Sequence, residues 1–314
     1  MYENPYPAPP QPVSWFAPTP PGTRYDHLGR NAANAWWRPI LGTLIIGAGF
    51  FVIGAVVIVL GVLVGMPLGI RTTSNPEQLF SDPVYNLVVV LLSIAAVLPL
   101  VFGTAALLQR RRPGTLSSVA GRLRWGWLLQ CAGLAAVALV LGQVAQYVVL
   151  LVTGEDTTGF VEWGGWAKFL PGMIVIVLLV PFQAAAEEYI FRGWFIQAFG
   201  AYIRNPLPGI LLGSAAFTSM HGYTGWGIVD VFTFGAIMGW LAVRTGGLEA
   251  AIAMHVMNNV MAFGLIAAAG QLEKAMEQGD VPWQSLAGTV VQLVVFVVGV
   301  LILSKKRSID TVSG

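Results

Sequence analysis

The chain is poor in charge. Asp, Glu, Lys and Arg make up 10% of its 314 residues, against 56% hydrophobic ones, and so few charges cannot keep the surface of a soluble globule hydrated. A net charge of +2 is too small to grip a nucleic-acid backbone, so no nucleic-acid partner is expected. Cysteine is nearly absent. Cys131 stands alone, which excludes an internal disulfide and a thiolate metal cage, and its apolar surroundings make it a small core residue. Lysine is scarce as well: Lys168, Lys274, Lys305 and Lys306 accompany a larger set of arginines in an Ala-, Gly- and Val-rich chain, which fits a bacterium with a GC-rich genome. What remains is an all-α, polytopic membrane protein resting in a lipid bilayer.

A hydrocarbon core of about 30 Å takes roughly 20 apolar residues per helix. Eight runs qualify, near Leu41 to Gly65, Tyr85 to Leu108, Gly126 to Val152, Pro171 to Phe199, Leu207 to His221, Ile228 to Val243, Leu248 to Ala269 and Gln284 to Leu303. With both termini in the cytoplasm, the inside segments hold Arg24, Arg30, Arg38, Arg110, Arg111, Arg112, Arg122, Arg124, Arg204, Arg244, Lys305, Lys306 and Arg307, while the outside loops hold only Arg71, Lys168 and Lys274. That asymmetry selects eight spans and this orientation. Trp36, Trp37, Trp125, Trp163, Trp166 and Trp283 fall near predicted ends, as interfacial anchors do. Residues 1–36 are proline-rich without an apolar run, and read as a disordered cytoplasmic tail rather than a signal peptide. Residues 305–314 form a second cytoplasmic tail. The loop RRRPGTLSSVAGRLRW, Arg110 to Trp125, is basic enough to rest on anionic headgroups.

Charge inside a span is expensive, about 2.5 to 3.5 kcal/mol per residue on insertion scales, and marks function by default. The stretch AAAEEYIFRGW, Ala184 to Trp194, places Glu187, Glu188 and Arg192 in the fourth run after an uncharged stretch, Met173 to Phe182. On a helix Glu188 and Arg192 are four apart on one face and can neutralise each other. Glu187 points about 100° away and must meet water, a metal or a group from another helix. A buried structural ion network is the plainer alternative. Of the three histidines, His27 lies in the tail and the others in apolar runs, within FTSMH (Phe217 to His221) and HVMNN (His255 to Asn259). Phe217 can pack under the His221 ring, and His255 and Asn259 project together, each pair being four apart. One carboxylate, two imidazoles and an amide from three helices are equipped to activate water and hold an oxyanion. Depth is discordant, however: counted from Arg204, Glu187 and His221 lie about 25 Å along their helices, whereas His255 lies about 16 Å from Arg244. Tilt, a broken helix or a re-entrant start at RTGGLEA would each reconcile them. Asp230 and Glu249, near ends of short helices, read as caps or rim positions.

An EExxxR motif, then FxxxH, then HxxxN, on successive membrane segments, resembles the CAAX-protease and bacteriocin-processing family of intramembrane endopeptidases, also called type II CAAX prenyl endopeptidases or the Abi family. The resemblance is close over about 171–264 and loose over the eight-helix layout, making 37–304 the protease domain. It implies hydrolysis of a peptide bond in a peptide or membrane-protein substrate. Glu187 would be the general base, His221 would position the water or shuttle its proton, and His255 with Asn259 would stabilise the oxyanion. Glu188, Arg192 and Phe217 would support them. Zinc is left open: members are commonly described as metalloproteases, and Glu187, His221 and His255 would be the ligands if zinc is required. The HExxH spacing of soluble zinc proteases is absent, which tilts the expectation toward no tightly held metal. The competing classes are a proton-coupled transporter, against which helices one to three hold no acid or histidine, and a catalytically silent scaffold or immunity protein, which would not need three complete motifs.

Overall fold

The computed structural model describes residues 14–155, 157 and 163–314, and within them the chain is helical, with isolated bridges and no strand. The helices are α1 (Trp37–Gly65), α2 (Pro83–Ala95), α3 (Leu98–Gly103), α4 (Trp125–Thr153), α5 (Trp166–Glu188), α6 (Phe195–Gly200), α7 (Leu207–Ser219), α8 (Gly225–Thr245), α9 (Glu249–Ala268) and α10 (Ser285–Lys306). Seven segments among the described residues are long and apolar enough to cross a membrane: Trp37–Leu68, Pro83–Leu108, Trp125–Thr153, Trp166–Gly200, Gly225–Thr245, Glu249–Ala268 and Ser285–Lys306. The fifth expected span is shorter than the rest. α7 has 13 residues, about 20 Å at 1.5 Å per residue, which falls short of the hydrocarbon thickness.

Local sequence sets the breaks. Asp82 caps α2, accepting from Tyr85 N at 2.8 Å, with Pro83 following at the first helical position. α4 ends at Gly154 and α8 at Gly246, both left-handed, where a side chain would be strained. α5 runs unbroken through Pro171 and Pro181, then opens into a π-helical turn, Tyr189–Trp194, before α6. α5 packs between α2 and α9, α4 between α9 and α10, and α7 against α8. Outward faces of the spans carry large exposed apolar side chains such as Val56, Leu129 and Ile302, as lipid contact requires.

The proline-rich segment differs from its sequence reading. Residues 1–13 lie outside the described residues, but from residue 14 onward the segment packs along one end of the bundle. Tyr25 and Asp26 are fully buried. Tyr25 donates to Leu116 O at 2.6 Å, Arg30 Nε to Gly200 O at 2.7 Å, and Trp15 Nε1 to Ala106 O at 3.0 Å. The C-terminal residues join it, Ser313 N donating to Thr23 O at 2.9 Å and Gly22 N to Ser313 O at 2.8 Å, so the segment from residue 14 and the C-terminal residues lie at the same end of the bundle. Composition hid this because the segment buries no core of its own; it borrows one from the loop after α3 and from α6.

That loop is also less of a free basic surface than its sequence suggests. Arg111 is buried and bonds Gln109, Thr115 and Gln197, and burial pushes its guanidinium down to about 10, which leaves it charged at neutral pH. Arg124 holds Glu249 with three bonds, backbone N to Oε1 at 2.9 Å, Nε to Oε1 at 2.8 Å and Nη2 to Oε2 at 2.7 Å, and Glu249 has no exposure, so it is not a rim residue. The α8–α9 turn is roofed by the same loop: Val119 N donates to Gly246 O and Leu248 N to Ser117 O, each at 2.8 Å. The first turn of α9 is therefore buried within the protein.

Close approach at α6 makes the packed segment testable. A Cβ at Gly200 would fall 1.8 Å from Asp26 O, so Gly200→Val should expel residues 20–31 from their seat while the long spans still insert. Tryptic cleavage after Arg24 and Arg30 should then be much faster than in the native protein; equal resistance would show that this segment is not held by α6.

Candidate active site

Three side chains on the last turn of α5 and the π-helical turn carry the charge. Glu188 is fully buried and Arg192 is 1% exposed. Arg192 Nη1 donates to Glu188 Oε1 at 2.9 Å. Room for the guanidinium comes from α8, where a Cβ at Gly235 would lie 2.9 Å from Arg192 Nη2. The other face of the cation rests on the Phe217 ring, 4.1 Å from its centroid, a contact that strengthens when desolvated. Arg192 thus ties α5, α7 and α8 into one polar core.

The same carboxylate oxygen serves a second donor. His255 Nδ1 lies 2.7 Å from Glu188 Oε1, and since that carboxylate also accepts from Arg192, the imidazole carries its proton on Nδ1. Its Nε2 is then turned to Glu187, with Oε2 at 3.3 Å. Among the described residues Glu187 Oε2 makes no hydrogen bond, so this contact is close without being aligned. It is attractive only if a proton lies in it, on the imidazole or on the carboxyl. Phe217 and Phe234 hold the ring edge-on, at 5.8 and 5.6 Å between centroids.

One turn further along both helices the pattern repeats with neutral groups. Asn259 Nδ2 donates to Gln183 Oε1 at 3.1 Å. Gln183 precedes Glu187 by four residues and Asn259 follows His255 by four, so α5 and α9 run antiparallel with matched polar rungs. His221 sits just past α7, its Nδ1 2.8 Å from Phe217 O and its ring stacked near Tyr223 at 6.1 Å. The backbone carbonyl accepts, which leaves His221 Nε2 free to take a proton.

A polar cavity of about 110 Å³ joins these groups. Phe217, His221, His255 and Asn259 line it, and so do Tyr223, Asp230, Asn258 and Gln292. Glu187 does not line it but touches the imidazole that does. Of the residues singled out in the sequence, Glu187, Glu188, Arg192, Phe217 and His255 form one contact network, with His221 and Asn259 reached across the cavity. Asp230 belongs to the wall rather than to a helix cap. Spacing alone could not find Gln183, Tyr223 or Gln292; an intramembrane Asp was the available signal for Asp230. A zinc set made of Glu187, His221 and His255 does not fit this arrangement: among the described residues no three His, Cys, Asp or Glu side chains are gathered to hold a metal ion, and His221 faces the cavity from a different wall.

Residues 166–261 match the family described as type II CAAX prenyl endopeptidase Rce1-like, a stretch that contains all three motifs. The chain is also 25% identical over 235 residues, 72% of its length and 77% of the other, to the uncharacterized protein YyaK of Bacillus subtilis (strain 168). No solved structure matches.

The shared Glu188 oxygen separates the two adjacent glutamates experimentally. Glu188→Gln should lower the thermal midpoint in detergent strongly, by the equivalent of about 3 to 5 kcal/mol, because Arg192 keeps its charge without a counterion. Adding Arg192→Met should recover part of the loss. Glu187→Gln, whose carboxylate has no second partner, should cost little; the reverse order of stabilities would exchange the two roles.

Proposed function

Given a domain of the Rce1-like type II CAAX prenyl endopeptidase family in a multi-pass membrane protein, we propose that this chain is an intramembrane endopeptidase that cleaves a peptide or membrane-protein substrate with a water activated by Glu187. The observation that carries the reading is the placement of His255 between Glu187 and Glu188 at the wall of a polar cavity shared with His221 and Asn259. Within this reading Glu187 is the base: its carboxylate takes the proton of a water that enters beside His255 Nε2, and the hydroxide adds to the scissile carbonyl. His221 Nε2, free on the cavity side, positions that water by accepting its second hydrogen, and the proton taken by Glu187 passes through His221 to the leaving amine as the C–N bond breaks. With the proton of the Glu187–His255 contact on Nε2, which leaves Glu187 as the carboxylate base, His255 joins Asn259 in donating to the carbonyl oxygen as it becomes an oxyanion. Asn259 has a second Nδ2 hydrogen for this besides the one given to Gln183. Glu188 and Arg192 touch no substrate; they hold the Nδ1–H tautomer of His255 and so keep Nε2 directed at the chemistry.

The excess of arginine and lysine at the end of the bundle that carries residues 14–36 and 305–314 supports a cytoplasmic side there, in a bacterial cell membrane. The Arg124–Glu249 pair, its carboxylate fully buried, and the packed 14–36 segment belong to that side.

Two outcomes test the mechanism. Glu187→Gln should accumulate normally and lose at least about a hundredfold in activity, since a general base typically contributes that much or more; the assay compares protein N-termini in cells carrying the native or the variant chain. If no terminus depends on Glu187, the reading fails. Purified protein should also keep its activity through a chelator treatment, since in this reading Glu187 activates the water without an ion and, among the described residues, no set of three ligands is gathered. Loss on chelation with recovery on adding zinc would overturn the metal-independent step.

A further inference from the structure

Most acids of the described spans and their flanks have a basic partner within the chain. Glu188 has Arg192, Glu249 has Arg124, and Glu187 has His255. Asp230, on the second turn of α8, takes part in none of the ion pairs among the described residues. It is half-buried and lines the catalytic cavity. Phe234, four residues on and on the same face of α8, packs against His255, so Asp230 lies about one helical turn from the imidazole's support.

The lining of the cavity is one-sided in charge. His221, His255, Asn258, Asn259 and Gln292 are neutral or titratable, no lysine or arginine lines it, and Asp230 is its acid. Its volume, about 110 Å³, is well under the roughly 300 to 1,000 Å³ of pockets for drug-sized ligands. One extended side chain fits there, and a folded segment does not. A carboxylate left facing such a chamber at membrane depth asks for a cation from outside the chain, and a fixed acid in a small protease pocket selects basic side chains.

We propose that Asp230 is the specificity-determining residue of this site, taking the cationic side chain of a lysine or arginine within two residues of the scissile bond. The proposal rests on the endopeptidase reading above. A basic residue of the substrate would pair with Asp230 while the adjacent peptide bond lies against Glu187, His255 and Asn259. Substrates that lack the charge would leave the carboxylate unpaired and bind less well.

The test is cleavage profiling of a peptide library with purified native protein, Glu187→Gln, Asp230→Asn and Asp230→Lys, each checked for its thermal midpoint. Sites cut by the native protein and not by Glu187→Gln should carry Lys or Arg within two positions of the cut more often than the library does. Asp230→Asn should lower the ratio of cleavage at lysine sites to cleavage at matched glutamine sites by at least about tenfold, and Asp230→Lys should shift the preference to Asp or Glu. A role in folding alone would lower all cleavage together and move no preference. Glu187-dependent cleavage without enrichment of basic residues, or enrichment that survives Asp230→Asn, overturns this proposal and leaves the endopeptidase reading standing. Absence of any Glu187-dependent cleavage overturns both.

Discussion

A single carboxylate oxygen, Glu188 Oε1, accepts from Arg192 Nη1 at 2.9 Å and from His255 Nδ1 at 2.7 Å in a setting with almost no solvent. The arrangement around it follows from the cost of leaving any of these groups alone. A buried carboxylate without its cation is penalised far more than the pair gains over an apolar replacement, so the two donors cannot be moved independently. Arg192 lies on a π-helical turn, a distortion of the kind that recurs at functional sites. Gly235 leaves space for the guanidinium, and Phe217 offers it a ring face. The polar core fixes how α5, α7, α8 and α9 dock, and the geometry of the cavity is a consequence of that docking.

The opposite requirement is that α9 start at the right depth. His255 follows the first residue of α9 by six positions, so its place depends on where Glu249 is held. Arg124 holds it with three hydrogen bonds, and the loop above is itself propped by Tyr25, by the buried Arg111 and by Gln197. The segments at the two chain ends, joined through Thr23 and Ser313, close this layer. A substitution in the packed N-terminal segment is thus connected to the imidazole by an unbroken run of packed and hydrogen-bonded groups, although the distance along the chain exceeds two hundred residues.

Sequence patterning carried the helical class and the motif residues because both depend on local spacing. Apolar runs of about twenty residues and pairs four apart are one-dimensional properties. Phe217 under His221 and Arg192 beside Glu188 are cases of this kind, with the ring centroids at 4.5 Å and the ions at 2.9 Å. The link from Glu188 to His255 spans 67 positions and joins two helices, and nothing in either motif states which of two adjacent glutamates faces the other helix. The same limit explains the N-terminal segment. Its prolines and short apolar residues cannot form a core, yet Tyr25 and Leu28 fill one supplied by distant parts of the chain. Glu249 and Asp230 were read by position along a helix, which describes a cap well and a tertiary partner not at all.

The family match ends at residue 261, before α10, and the cavity does not. Gln292 of α10 lines it. The loop that precedes α10 crosses the turn bearing His221: Gly222 N bonds Gln278, Thr224 N donates to Gly279 O at 2.9 Å, and Trp226 N donates to Asp280 Oδ1 at 2.9 Å. The groups assigned to bond breaking therefore all sit within the matched stretch, whereas one wall of the chamber and the strap over its histidine come from outside it. Replacing α10 and its loop would leave Glu187, Glu188 and His255 in contact and change what can enter beside them. On the proposed reading, reaction and selection are in this way borne by different lengths of the chain, meeting at the single helix α8, where Phe234 packs against the imidazole and Asp230 lines the cavity.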